Sequence, residues 1–119
     1  QQILLSETAQ WVREVAEAIY QKAGMTSVHE LSLEFGVSRQ YLNRVFKQHV
    51  LYSLKTFILI VRIMDLVKFK VKNPDVSMTE LCYRYDYFDQ PHFNRDFRRV
   101  CGVTPTEFFG TLPEFLLRH

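Results

Sequence analysis

Two short stretches of this sequence carry side chains able to make paired hydrogen bonds to a planar partner. In the first, Arg39, Gln40, Asn43, Arg44 and Lys47 are spaced so that a helix would carry them on one side, with Tyr41 or Leu42, Val45 and Phe46 on the other. In the second, Gln90, Asn94, Arg95, Arg98 and Arg99 form a similar polar side, with Phe93 and Phe97 directed inward. Arg matches guanine, and Asn or Gln matches adenine, through two-point hydrogen bonds in the major groove of duplex DNA. A face of Lys alone would be an ordinary solvated surface, so the mixture of Arg, Asn and Gln is the more specific signal. Charge is distributed in the same sense. Between Ser38 and Lys55 there are four Lys or Arg residues and no acid, although the chain as a whole is only +2 and its opening through Thr26 has two basic and three acidic residues.

Other chemistry finds no such arrangement. His29, His49, His92 and His119 are scattered, and no zinc-protease, nucleophile-elbow or phosphate-loop pattern occurs. His92 reads as a polar residue beside the second polar face. Cys82 and Cys101 lack C-x-x-C spacing and read as reduced, partly buried thiols. The sequence therefore predicts no enzyme, cofactor or metal. Arg62 and Asp65 interrupt the most apolar segment, which excludes a membrane span of about twenty residues. With no signal peptide, the expectation is a cytoplasmic protein, and an opening Gln suggests a piece of something longer.

The elements that must position the two polar faces form a duplication. Ser27-Val28-His29-Glu30-Leu31 aligns with Ser77-Met78-Thr79-Glu80-Leu81, and Leu42-Asn43-Arg44-Val45-Phe46-Lys47 with Phe93-Asn94-Arg95-Asp96-Phe97-Arg98, once an extra residue near Phe88 is allowed for. Each copy opens on a capping box, in which a Ser oxygen and a Glu carboxylate serve free amides at a helix start. Gly36 reverses the chain, Val37 tucks into the core and Ser38 caps the next helix. In the second copy Asp86-Tyr87-Phe88 makes the turn and Asp89 is the cap, with Pro91 in the first helical turn. These signals predict helix-turn-helix units at about 27–50 and 77–101.

A first helix is expected from a Ser6 cap to about Ala23, stopped by Gly24, with Trp11 as the largest anchor of the first core. Between the copies, apolar residues at helical spacing predict one long helix over about 54–72, including Met64 and apolar on nearly all sides, hence mostly buried. At about 1.5 Å per residue its length is about 29 Å, near the roughly 34 Å between successive major grooves on one face. After Gly102, Thr104-Pro105-Thr106-Glu107 predicts a third capped start, a short helix over Glu107–Phe109, and another over Leu112–Leu117 in which Phe115 and Leu116 pack.

Gly36-Val37-Ser38 with Tyr41-Leu42-x-Arg44-x-Phe46-Lys47, followed by Asp89-x-x-x-Phe93-x-Arg95-x-Phe97 and Gly102-x-Thr104-Pro105, resembles the DNA-binding domain of the AraC/XylS transcription regulators over about residues 8–110. The resemblance implies an all-α domain spanning residues 1–119, with two helix-turn-helix units joined by a long central helix. It also implies a sequence-specific regulator, an activator or, as in some members, a repressor, placing two recognition helices in adjacent major grooves of promoter DNA. Gln40, Asn43, Arg44, Gln90, Asn94 and Arg95 occupy the groove-facing positions of that pattern. Double-stranded DNA and RNA polymerase are the implied partners, and the effector-sensing domain usual in such regulators is absent from this stretch.

Four departures from the pattern matter. Asp86 stands for Gly in the second turn, Leu66 for a small residue, and no Gly follows the first polar helix in Gln48-His49-Val50-Leu51-Tyr52. Pro91 and Asp96 add a fourth, expected to make the second unit read sequence less strictly. The competing reading is a helical protein-interaction module of the same fold that has lost DNA binding, but such a scaffold has no need of Asn and Arg on both faces.

Overall fold

Helix starts and stops in this chain are set by short polar side chains and by residues that tolerate left-handed backbone. The computed structural model describes the backbone of residues 2–112 and the side chains of residues 7–112. Among the described residues every regular element is helical: α1 (Gln2–Gln21), α2 (Val28–Phe35), α3 (Arg39–His49), α4 (Leu54–Lys72), α5 (Met78–Arg84), α6 (Gln90–Cys101) and α7 (Pro105–Thr111). The all-α expectation holds. The chain divides between Val61 and Arg62 into two compact units, each with its own core.

In the first unit Val12, Val15 and Ile19 of α1 meet Leu31 of α2, Leu42, Val45 and Phe46 of α3, and Leu54, Ile58 and Val61 of α4. Phe46 is the largest fully buried side chain, whereas Trp11 is only partly buried at the margin. Trp11 thus meets its neighbours by its edges, against Phe35 and Tyr41, each with ring centroids 5.8 Å apart. Ser6 is not a cap, because α1 has already begun at Gln2. The other end comes at Gln21, where Ala23 and Gly24 both take positive φ, and the Gly24 amide returns to the Ile19 carbonyl at 2.9 Å.

The second unit is aromatic. Ile63 and Leu66 of α4, Leu81 and Cys82 of α5, Tyr85, Tyr87, and Phe93 and Phe97 of α6 are buried, as are Pro105 and Phe109 of α7. Phe97 meets Phe93, Phe108 and Phe109 at centroid distances of 6.0, 5.5 and 5.7 Å. Leu66, larger than the residue usual there, is fully enclosed. The Tyr85 hydroxyl donates to Asp65 Oδ2 at 2.6 Å and ties the end of α5 to α4. Burial, helped by the Asp65 carboxylate, pushes the Tyr85 pKa well above its ordinary value. Burial likewise raises the thiols of Cys82 and Cys101, both free.

Three expectations need correction. The capping boxes are half formed: Ser27 and Ser77 accept from Glu30 and Glu80 amides at 3.1 Å, but the Glu30 carboxylate takes the Thr26 hydroxyl at 3.2 Å and Glu80 lies 3.4 Å from the Ser77 hydroxyl. A nearby hydroxyl competes successfully for each carboxylate. Along α4, Leu54, Ile58, Val61, Ile63 and Leu66 are buried, but Met64 is 53% exposed. A helix with apolar residues on every side gives no polar face to say which of them stays in water. Finally, α7 starts at Pro105, directly after the expected Thr104 cap, but continues to Thr111, beyond the expected end at Phe109. The helix expected over Leu112–Leu117, with Phe115 and Leu116, lies outside the described residues beyond 112.

Candidate nucleic-acid interface

The left-handed turn before each polar helix fixes how that helix is presented. Gly36 at φ 67° closes α2, its amide donating to Leu33 at 3.3 Å while the Val37 amide donates to Ser32 at 3.0 Å. Asp86 at φ 61° does the same after α5, with Asp86 N–H to Tyr83 at 3.3 Å and Tyr87 N–H to Cys82 at 2.9 Å. Asp is among the few side chains that tolerate this conformation, so loss of Gly leaves the turn intact. Ser38 then accepts the Tyr41 amide at 3.1 Å to start α3, and Asp89 accepts the His92 amide at 2.8 Å to start α6.

Within α3, Leu42, Val45 and Phe46 are buried, while Arg39, Gln40, Asn43, Arg44 and Lys47 are all exposed. Tyr41 proves not to belong to the buried stripe. It is 41% exposed, and the Arg44 guanidinium lies 5.3 Å from its ring centroid, within cation–π range. Where the usual glycine is missing, α3 ends on Val50 in an extended conformation, its amide still reaching Phe46 at 3.0 Å, and Leu51 is left exposed. None of the exposed residues of α3 is acidic.

Within α6, Phe93 and Phe97 are buried, and Gln90, Asn94, Arg95, Arg98 and Arg99 are exposed. Pro91 sits in the first turn, where its missing amide leaves no helical hydrogen bond broken. Asp96, the one acid of α6, falls between its exposed and its buried side. Its side chain is only 19% exposed and lies 3.4 Å from His92 Nε2, one helical turn back. His92 in turn meets the Tyr87 ring edge-on at 5.2 Å. The Tyr87 hydroxyl is buried without a hydrogen-bond partner among the described residues; burial raises its pKa, with the Asp96 charge adding and Arg62 opposing.

Sequence reasoning assigns no role to one further side chain. Phe88 is 99% exposed, directly before the Asp89 cap of α6. A residue at that position ordinarily packs against the fourth residue of the helix, here Phe93, but Tyr87 fills that place with ring centroids 5.4 Å apart. The signal was available: the second copy has one residue more than the first at this point.

Among the described residues no group of three or more His, Cys, Asp or Glu gathers in a way that could hold a metal ion. None of the described helices is long and apolar enough to cross a membrane.

Known proteins bear on this arrangement in three ways. A family model described as a helix-turn-helix domain matches residues 31–111. The Msm operon regulatory protein of Streptococcus mutans serotype c is 28% identical over 104 residues, covering 87% of this chain and 37% of that protein. This chain thus spans little more than a third of its curated relative's length. Among solved structures, the C-terminal domain of AraT, a response regulator from Geobacillus stearothermophilus, superposes with a TM-score of 0.76 at 21% identity, covering 85% of this chain and 84% of that one. That likeness is one of fold.

Proposed function

Because the chain belongs to the AraC/XylS family of helix-turn-helix DNA-binding domains, we propose that it binds promoter DNA by laying α3 and α6 into adjacent major grooves. The observation that carries this reading is that each helix turns a buried apolar stripe inward and leaves Gln, Asn and Arg exposed together. Arg44 and Arg95 are suited to guanine, and Gln40, Asn43, Gln90 and Asn94 to adenine. Arg39, Lys47, Arg98 and Arg99 supply charge for phosphates, which positions the protein without reading sequence. The Asp96 carboxylate of α6 lies 3.4 Å from His92 Nε2 and is only 19% exposed, less than the Gln, Asn and Arg side chains around it.

The 19 residues of α4 correspond to about 29 Å at 1.5 Å each. That length suits half-sites about ten base pairs apart, one turn of the duplex. Bound there, the chain would act as a transcription activator through contact with RNA polymerase.

Selection of bound duplexes from random sequence, then titration of the enriched and a random duplex at two salt concentrations, tests the reading. An enriched site is expected, with affinity on both duplexes falling steeply as salt rises because phosphate contacts release counterions. Inserting about five base pairs between the half-sites should sharply weaken binding, since it turns the second groove to the opposite face. Flat salt dependence with no enriched sequence would replace DNA binding by the protein-interaction module. A footprint confined to one groove, unchanged by the insertion, would limit reading to one unit.

A further inference from the structure

The two turns share one hydrogen-bonding pattern up to a single residue, and there they part. From the left-handed residue to the helix cap is two steps in the first unit, Gly36 to Ser38, and three in the second, Asp86 to Asp89. Val37 and Tyr87 are equivalent: each amide bonds the carbonyl five residues back, and each side chain packs inward. Phe88 is the residue left over. Its ring contributes nothing to the core, since it is 99% exposed, and the place beside Phe93 is already occupied by Tyr87.

Lone exposed apolar residues are common on protein surfaces, so exposure alone assigns nothing. Location does. Phe88 stands two residues before Gln90, the first residue of α6, and the N-terminal residues of a recognition helix are those that meet base edges. A phenyl ring can neither donate nor accept a conventional hydrogen bond. The apolar feature on a base edge in the major groove is the thymine 5-methyl group. Phosphate is a poor alternative, because the ring is flanked by the carboxylates of Asp86 and Asp89, both exposed. Asp89 is held back on the His92 amide, which keeps its charge at the helix start while the ring points outward.

We propose that Phe88 is a specificity-determining residue of the second unit, packing on a thymine methyl beside the bases met by the start of α6. This rests on the DNA-binding reading above. It assigns the turn of the second unit an apolar contact that the turn of the first lacks, since Val37 is directed into the core.

The test uses the duplex that the wild-type chain selects from random DNA, with each thymine replaced in turn by uracil, which pairs identically but lacks the methyl group. For the wild-type chain, one replacement in the half-site of the second unit should weaken binding about three- to fivefold, the worth of one buried methyl group. Phe88→Ala should bind the unmodified site more weakly by a similar factor and be indifferent to that same replacement. Phe88→Leu, which keeps an apolar side chain, should recover part of the loss and of the uracil penalty. Circular dichroism should show both variants folded, because the side chain lies outside the core. A uracil penalty of equal size in wild type and Phe88→Ala, or Phe88→Ala binding as tightly as wild type, overturns the assignment while leaving DNA binding in place. Failure of the wild-type chain to select any duplex defeats the DNA-binding reading itself.

Discussion

The first and second helix-turn-helix units solve one geometric problem with different chemistry. In the first, the core under α3 is Leu42, Val45 and Phe46, the turn is Gly36, and the exposed face of α3 is free of acids. In the second, two phenylalanines replace that stripe, Asp86 makes the turn, and the place of Val45 is taken by Asp96. A carboxylate on the inward side of a helix must find a partner or remain in water, and His92 beside the Tyr87 ring provides one. The lesson is that a polar residue in an amphipathic helix cannot be assigned to its exposed face from composition alone. Its register against the buried stripe decides.

The comparison is broken most forcefully at the cores. Phe97→Ala, which removes a fully buried ring touching Phe93, Phe108 and Phe109, should destabilise the second unit by about 3–5 kcal/mol. Phe46→Ala in the first unit should cost a similar amount, as it too is fully buried and packs edge-on against Phe57. Urea unfolding of each variant measures both, and a loss under about 1 kcal/mol at either site would show that its core is looser than these contacts require.

Arg44 and Arg95 sharpen the contrast at the surface. Arg44→Ala should weaken binding to a selected site by about 1–3 kcal/mol and relax preference at one base pair, as expected for a lost two-point contact. Arg95→Ala should cost less, because Pro91 leaves the start of α6 with one fewer polar side chain. Equal losses on selected and random duplexes for Arg44→Ala would mean it touches phosphate only.

Much of this organisation was legible. Caps at Ser38, Asp89 and Thr104, the glycine stops at Gly36 and Gly102, and the bounds of α4 follow from local residues whose effects extend over a single turn. What escaped depends on contacts distant in sequence. That Met64 stays in water, that Tyr41 lies outside the core beside Trp11, and that Glu30 prefers the Thr26 hydroxyl are choices among neighbours that helical periodicity does not rank. The inward register of Asp96 was available from its alignment with Val45, but its partnership with His92 required the fold.

Alkaline pH probes the tyrosines that distinguish the second unit. Tyr85 and Tyr87 both have folded-state pKa values raised above their unfolded value near 10. The folded state therefore favours the neutral phenols, a contribution complete below about pH 10 and lost as pH rises toward the folded values. Each such tyrosine should steepen the loss by about 1.4 kcal/mol per pH unit in that window. Tyr87→Phe, lacking an unpartnered hydroxyl, should be as stable as wild type or more so near neutrality and should unfold less readily above about pH 10. Urea midpoints from about pH 8 to 11, which bracket the unfolded value, check this, and identical profiles for the variant and the wild type would mean the phenol ionises as easily in the folded state as in the unfolded one.

The smallest expected effect compares the turns directly. No atom lies within 4 Å of a Cβ added at Gly36, so the cost of substitution there comes from its positive φ alone. Gly36→Ala should lose about 1–2 kcal/mol, the left-handed penalty for an ordinary L-residue. Gly36→Asp should lose less, because the short polar side chain of Asp tolerates this region, as Asp86 does at φ 61°. The reciprocal Asp86→Gly removes the residual strain but gives the unfolded chain more freedom to lose, and those two terms should leave stability within about 0.5 kcal/mol of wild type. Thermal unfolding of the three variants checks the set. Should Gly36→Asp cost as much as Gly36→Ala, the second turn must draw stability from something beyond Asp tolerance of left-handed backbone, and the inserted Phe88, which lengthens that turn by one residue, is where the difference would lie.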